Sequence, residues 1–322
     1  MTAPSNIFER AIAKVKTPQR SAPEATEVPD RRLETGVAGR VKRGDQRIGA
    51  ILASQGKLKG DDIERVLELQ QTRGTRFGET AVHLGLISVD DLRGAIAAQY
   101  DAPYLLPESA ARISSELVVA CKPFDRCAEE IGALRTQLLM RWTGGEGPEA
   151  RMLAIVSPGH GEGRSYLTAN LAVSFAQLGK RTLLIDADLR RPRQHEIFQV
   201  ENRVGLSAVL TGRADDSAVV ASPVFGPLWL LPSGGTPPNP VELLSRDTFA
   251  ALLARLRRRF EVLLFDTPAA QACADAQSIA FHAGDALTIA RKDHTRVADT
   301  TKLIRHLSEA GVKAVGTALN SF

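Results

Sequence analysis

The chain has 322 residues, 43% hydrophobic and 24% charged, which fits a soluble globular protein with room for two domains. No apolar run approaches the ~18 residues that cross a bilayer, and no apolar core segment near Met1 marks a signal peptide. The net charge is +4, and residues 1–46 hold nine Lys/Arg against six Asp/Glu, so the folded parts are near neutral and a nucleic-acid-binding domain is not expected.

Cys121, Cys127 and Cys273 lack metal or redox spacing and the six histidines are scattered. Free thiols in a reducing cytoplasm are expected, with no zinc site.

Residues 1–45 are rich in Pro, Ala, Thr and charge and read as a basic disordered tail. Within it, Ile7, Phe8, Ala11, Ile12 and Val15 line one face of a short helix over 6–16, with Arg10, Lys14 and Lys16 beside it. Three readings stand: docking on a partner, resting on a membrane surface, or a frayed helix with no role.

Residues 46–106 form a small helical domain built on an internal repeat. Arg47-Ile48-Gly49, then Leu52, Gly56, Leu58, Ile63, Leu67 and Gln70, is matched 29 residues on by Arg76-Phe77-Gly78, then Ala81, Gly85, Ile87, Leu92, Ile96 and Gln99. Each unit predicts a short helix, a glycine stop, a start signal at Asp61 or Ser88, and a second amphipathic helix. Residues 107–124 read as a linker with prolines at 107 and 123.

The segment 125–322 alternates strands with helices, so a parallel sheet flanked by helices is expected. A helix over 128–141 precedes a buried strand at 152–156. Ser157-Pro158-Gly159-His160-Gly161-Glu162-Gly163-Arg164-Ser165 follows, with three glycines at alternate positions that let the backbone aim N–H groups inward. The next helix, 165–178, points its positive end at the same spot. A strand at 182–185 ends in Asp186-Ala187-Asp188-Leu189-Arg190, and Val262-Leu263-Leu264-Phe265 ends in Asp266. A glycine loop beside carboxylate-tipped strands is a phosphate cradle with a place for magnesium. Further strands are expected at 228–231, 286–290 and 314–319. One long helix is expected from Pro240 to Arg259, with Phe249, Leu252, Leu253 and Leu256 inward, and another over 297–307.

These motifs, with Pro237-Pro238-Asn239-Pro240, Leu134-Arg135-Thr136-Gln137 and Ala318-Leu319-Asn320, resemble the bacterial tyrosine kinases of capsule and exopolysaccharide systems over about 124–322. The resemblance implies a P-loop NTPase fold, ATP and Mg2+ as cofactors, and regulation of exopolysaccharide polymerisation, chain length and export. It also implies an inner-membrane chain-length-determinant partner, peripheral association with that membrane, and homo-oligomerisation. On this resemblance, Gly159 to Ser165 and Tyr166 surround the nucleotide, and Ser165, Asp188 and Asp266 hold magnesium or its waters. Asp186 is the base, with Arg164 at the transferring phosphate. Arg190 belongs to the same signature or makes a structural salt bridge. Asn320 either recognises adenine or is a turn residue.

Three departures stand out. Arg164 replaces the family's lysine, Gly132 replaces an arginine of the oligomerisation motif, and no terminal tyrosine cluster follows Asn320. The alternative is a nucleotide-switched ATPase of the MinD/ParA kind, or a pseudokinase, acting by binding alone. Residues 157–163 lack those relatives' extra lysine.

The repeat domain resembles the N-terminal domain of type II secretion and pilus assembly ATPases, a class that includes c-di-GMP receptors. That resemblance implies a two-fold ligand held by Arg47, Arg76, Gln70 and Gln99, with close backbone approach at Gly49, Gly56, Gly78 and Gly85. A helical adaptor for a protein partner is the other reading.

Overall fold

The computed structural model describes residues 48–99, 113–141, 150–222 and 225–321. Calls on the N-terminal tail, Arg47, Tyr100 and Tyr104 lie outside the described residues.

The repeat unit comprises helices α1 (Ile48–Ser54), α2 (Gly60–Arg73), α3 (Phe77–His83) and α4 (Val89–Gln99). The chain reverses at Gly56 (φ +70°) and Gly85 (φ +66°), a left-handed backbone that glycine adopts without steric cost. The 29-residue period extends to the helix caps. Asp62 accepts from the Lys59 N–H at 2.9 Å, and Asp91 accepts from the Ser88 N–H at 3.0 Å. Lys57 of the first repeat pairs with Asp91 of the second at 2.9 Å. That pair, with the Ser88 bonds, lowers the Asp91 carboxyl to about 2. The core is Ile51, Leu52, Leu58, Val66, Ala81, Ile87 and Ala95. Val66, not the expected Leu67, is the buried residue of α2, and Leu67 is exposed.

The second unit is a seven-stranded sheet in the order β3-β4-β2-β5-β1-β6-β7. The strands are β1 (Arg151–Val156), β2 (Thr182–Asp186), β3 (Val220–Ala221), β4 (Leu228–Leu231), β5 (Val262–Asp266), β6 (Asp285–Arg291) and β7 (Lys313–Asn320). All pairings are parallel except β3 with β4. Side chains alternate between two cores. Leu153, Ile155, Leu184 and Leu264 enter one. Ala154, Val156, Leu183, Ile185, Leu263 and Phe265 enter the other. Both faces are covered, which is why these strands read as unbroken apolar runs.

On the first face lie α5 (Val118–Cys121), α6 (Arg126–Arg141) and α7 (Arg164–Gln177). Helix α7 is buried all round from Leu167 to Ala176, and the polar Thr168 and Asn170 within that stretch are hydrogen-bonded. The stretch expected as linker packs here from Ile113 onward. Leu117 is fully buried, and the Ser114 N–H donates to the Ile197 carbonyl at 3.0 Å.

The remaining helices are α8 (Gln194–Phe198), α9 (Leu206–Leu210), α10 (Pro240–Leu244), α11 (Asp247–Leu256), α12 (Asp275–Ala283) and α13 (Val297–Glu309). The long helix expected after Pro240 is two. Ser245 Oγ bonds back to the Val241 carbonyl at 2.8 Å, and Arg246 is extended (ψ 154°), so the chain re-enters a helix at Asp247. The four expected inward residues of α11 are buried as the periodicity required.

Candidate nucleotide-binding active site

Strands β1, β2 and β5 are neighbours, so their carboxyl ends deliver the glycine loop, Asp186 and Asp266 to one crevice. Asp186 and Asp266 are register partners. Gly161 (φ +68°) and Gly163 (φ +96°) are left-handed, so the loop tolerates no side chain at either without strain. Arg164 opens α7, whose first N–H groups have no intrahelical partner and face the loop.

The loop is tied down from within. Glu162 turns inward and is 2% exposed. Its carboxylate accepts from the Gly159 N–H at 2.8 Å and from Thr295 Oγ1 at 2.5 Å. Asn320 Nδ2 donates to the Glu162 carbonyl at 3.2 Å, and Arg291 Nη1 donates to the Gly161 carbonyl at 3.2 Å. Asn320 therefore braces the loop. Its side chain also lines a cleft of about 940 Å³ together with His160, Gly161, Gly163, Ser165 and Tyr166. Leu134, Ile289 and Leu319 are among the apolar residues of that lining.

Asp186 is fully buried. One oxygen accepts from the Arg193 and Gln194 N–H groups, both at 3.0 Å. The other has no partner. Asp266 repeats this pattern: Oδ2 accepts from Gln194 Nε2 at 2.7 Å, while Oδ1 is buried and unpartnered. Asp188 accepts from the N–H groups of Arg190 and Arg191 at 3.1 and 2.9 Å. Burial, then the neighbouring Asp266, pushes the Asp186 carboxyl well above its usual range. Burial raises Asp266 to about 6, against hydrogen bonds from Gln194 and Ser165 that pull it down.

The free buried oxygen of Asp266 beside Ser165, with Asp188 nearby, offers the oxygen donors a divalent cation takes, so the residues fit magnesium, and the free oxygen of Asp186 is left for a proton. Among the described residues no three His, Cys, Asp or Glu form a closed cage. Magnesium at phosphate sites takes one or two carboxylates and fills its shell with phosphate and water.

Arg164 is 8% exposed. Its Nε donates to the Thr267 carbonyl at 2.8 Å. Its Nη1 donates to Ser157 Oγ and, at 2.5 Å, to the Gly159 carbonyl. The guanidinium thus joins the loop to the segment after β5. Arg190 forms a two-pronged bridge to the buried Asp275 at 2.8 and 3.2 Å, the structural alternative anticipated for it. Arg135 donates to the Ser174 carbonyl and hydroxyl. Tyr166 is half-buried, and burial pushes its hydroxyl up to about 12.

The residues expected to hold c-di-GMP are less convergent. Gly49 lies against the Phe77 ring, where a Cβ would sit 3.0 Å away, and Gly78 abuts Leu92, where a Cβ would sit at 2.2 Å. These two glycines pack against neighbouring side chains, and Gly56 and Gly85 sit at turns. Arg76 is exposed ahead of α3, and Gln70 and Gln99 are half-buried.

Sequence reasoning passed over Gln194, Thr295 and Asp275. Each lies outside the glycine loop and the acid motifs, and only the fold brings them in.

Residues 153–308 match the CobQ/CobB/MinD/ParA nucleotide binding domain family. The tyrosine-protein kinase YwqD of Bacillus subtilis is 33% identical over 65% of this chain and 87% of its own length. The tyrosine-protein kinase Wzc of Salmonella typhimurium is 33% identical over 64% of this chain, a match spanning 28% of that longer protein. The kinase domain of the Escherichia coli tyrosine kinase ETK superposes with a TM-score of 0.60 at 30% identity, covering 64% of this chain and 79% of that domain. With this sequence likeness over most of YwqD's length, the chain belongs to the family of bacterial tyrosine-protein kinases.

Proposed function

We propose that this chain is an ATP- and magnesium-dependent protein-tyrosine kinase that regulates exopolysaccharide polymerisation, chain length and export. The observation that carries this reading is the pair of buried unpartnered oxygens on Asp186 and Asp266 beside Ser165. The loop N–H groups from His160 to Ser165 hold the phosphates, and Ser165 Oγ, Asp188 and Asp266 hold the metal. Magnesium, when bound, offsets the charge that builds on the transferring phosphoryl group. Asp186 Oδ1 accepts the proton of the attacking tyrosine hydroxyl. A carboxyl raised toward neutrality is a better base than an ordinary surface aspartate.

The protein partner in this reading is an inner-membrane chain-length-determinant protein, and the basic tail holds the enzyme at that membrane. Cell fractionation of a chain lacking residues 1–45 tests this, and unchanged membrane association removes it. The phosphoacceptor test is incubation with labelled ATP, with and without the cytoplasmic part of the membrane partner, followed by phosphopeptide mapping. Label is expected on the partner, Tyr100 or Tyr104. Tyr166 is a poor acceptor, since it is half-buried on the first turn behind the loop. Hydrolysis without phosphotyrosine transfers the assignment to the ATPase switch, which the investment of Arg164 in its own loop favours.

The regulatory ligand proposed for the repeat unit is c-di-GMP, on the strength of the arginine and glutamine pairs alone. Titration of the full chain is expected to give a dissociation constant below about 100 μM, weakened by Arg47→Ala and Arg76→Ala. No loss in either variant makes the unit a protein adaptor.

A further inference from the structure

Gln194 begins α8 eight residues after Asp186 and is 1% exposed. It touches three parts of the site at once. Its backbone N–H donates to Asp186 at 3.0 Å. Its Nε2 donates to the Asp266 carboxylate at 2.7 Å and to the Ser165 carbonyl at 3.0 Å. The amide orientation follows from these partners. Both are acceptors, so the nitrogen must face them. The amide oxygen is then left buried with no partner, like Asp186 Oδ1 and Asp266 Oδ1.

These three oxygens carry the argument. A buried acceptor without a donor loses its water partner with no replacement, and here three belong to residues hydrogen-bonded into one cluster. Every orphan is an acceptor. A cation satisfies the Asp266 oxygen directly, the substrate hydroxyl satisfies Asp186 Oδ1, and metal-coordinated waters are donors that satisfy the amide oxygen. We propose that Gln194 is a positioning residue for magnesium: its NH2 group fixes Asp266 and the Ser165 backbone, and its oxygen accepts from a metal-bound water. This rests on the nucleotide-site reading above. Nothing in the glycine loop or the acid motifs announces it, because Gln194 reaches the site only through the turn after β2.

The test compares ADP binding by calorimetry with and without magnesium in the full chain, for wild type, Gln194→Leu and Gln194→Glu. The readout is the ratio of the two affinities, which a merely structural residue leaves unchanged. Loss of an outer hydrogen-bond partner typically weakens metal binding about 10–100-fold, so Gln194→Leu is expected to lose at least about tenfold of that ratio. Gln194→Glu keeps an acceptor toward the water but sets a carboxylate against Asp266 and the Ser165 carbonyl in place of the NH2 donor, so its ratio is expected to fall as well. Should Gln194→Leu not fold, Gln194→Asn, too short to reach, is expected to show the same loss. Unchanged ratios in both the leucine and asparagine variants overturn this role while leaving the nucleotide site intact. A wild type with no magnesium-dependent ADP binding overturns the site reading itself.

Discussion

Asp186→Asn is expected to lower phosphoryl transfer by about 10²–10⁴-fold, the usual contribution of a positioned base. The variant keeps an oxygen for the Arg193 and Gln194 N–H groups, so the turn after β2 survives. Asp266→Asn is expected to lose turnover as well, through the metal rather than the proton. The two losses separate from unfolding by their stability profile. Asp266 titrates near 6 in the folded chain, above the ordinary carboxylate value of about 4. The folded state therefore holds more protons than the unfolded state between these values, and stability falls as pH rises through that window. Removing the charge relieves this cost. Asp266→Asn is expected to melt higher than wild type at pH 8 without metal, with the gain vanishing near pH 4. Thermal melts at the two pH values check it, and a variant that melts lower at both assigns the lost turnover to a damaged fold.

Arg164→Ala is expected to cost about 10²–10³ in turnover, the scale seen when one fixed donor is removed from a charge-stabilising site. A second reason adds to the one the motif suggests. The guanidinium bonds the Thr267 and Gly159 carbonyls and Ser157, so its loss frees the loop from the segment after β5. Arg164→Lys keeps the charge but not the fork. It is expected to retain nucleotide binding while lowering thermal stability. Steady-state turnover with melting curves separates the two roles. An alanine variant with wild-type turnover contradicts both.

The central strands were legible because each is a four- to five-residue apolar run ending in a charged or loop-forming residue, buried on both faces. The repeat was legible because 29-residue spacing preserved apolar positions, turn glycines and cap residues together. Strand β3 was not legible, since two residues on an edge carry no periodicity. Helix α12 left a faint trace. Ala276, Ile279, Ala280 and Ala283 keep helical spacing, but alanine weighs little in an apolar pattern. At the site, the loop and its acids were readable from local order in the chain. Gln194 and Thr295 were not, since each earns its place by contact with residues 29 and 133 positions away. The packing of Gly49 and Gly78 was hidden for the same reason.

The most direct measurement is calorimetric titration of the wild-type chain with ADP in the presence of magnesium. The paired acids, Ser165 and the preformed loop predict saturable one-to-one binding that weakens when magnesium is chelated. No binding at millimolar nucleotide, with or without magnesium, would contradict the assignment of this cleft.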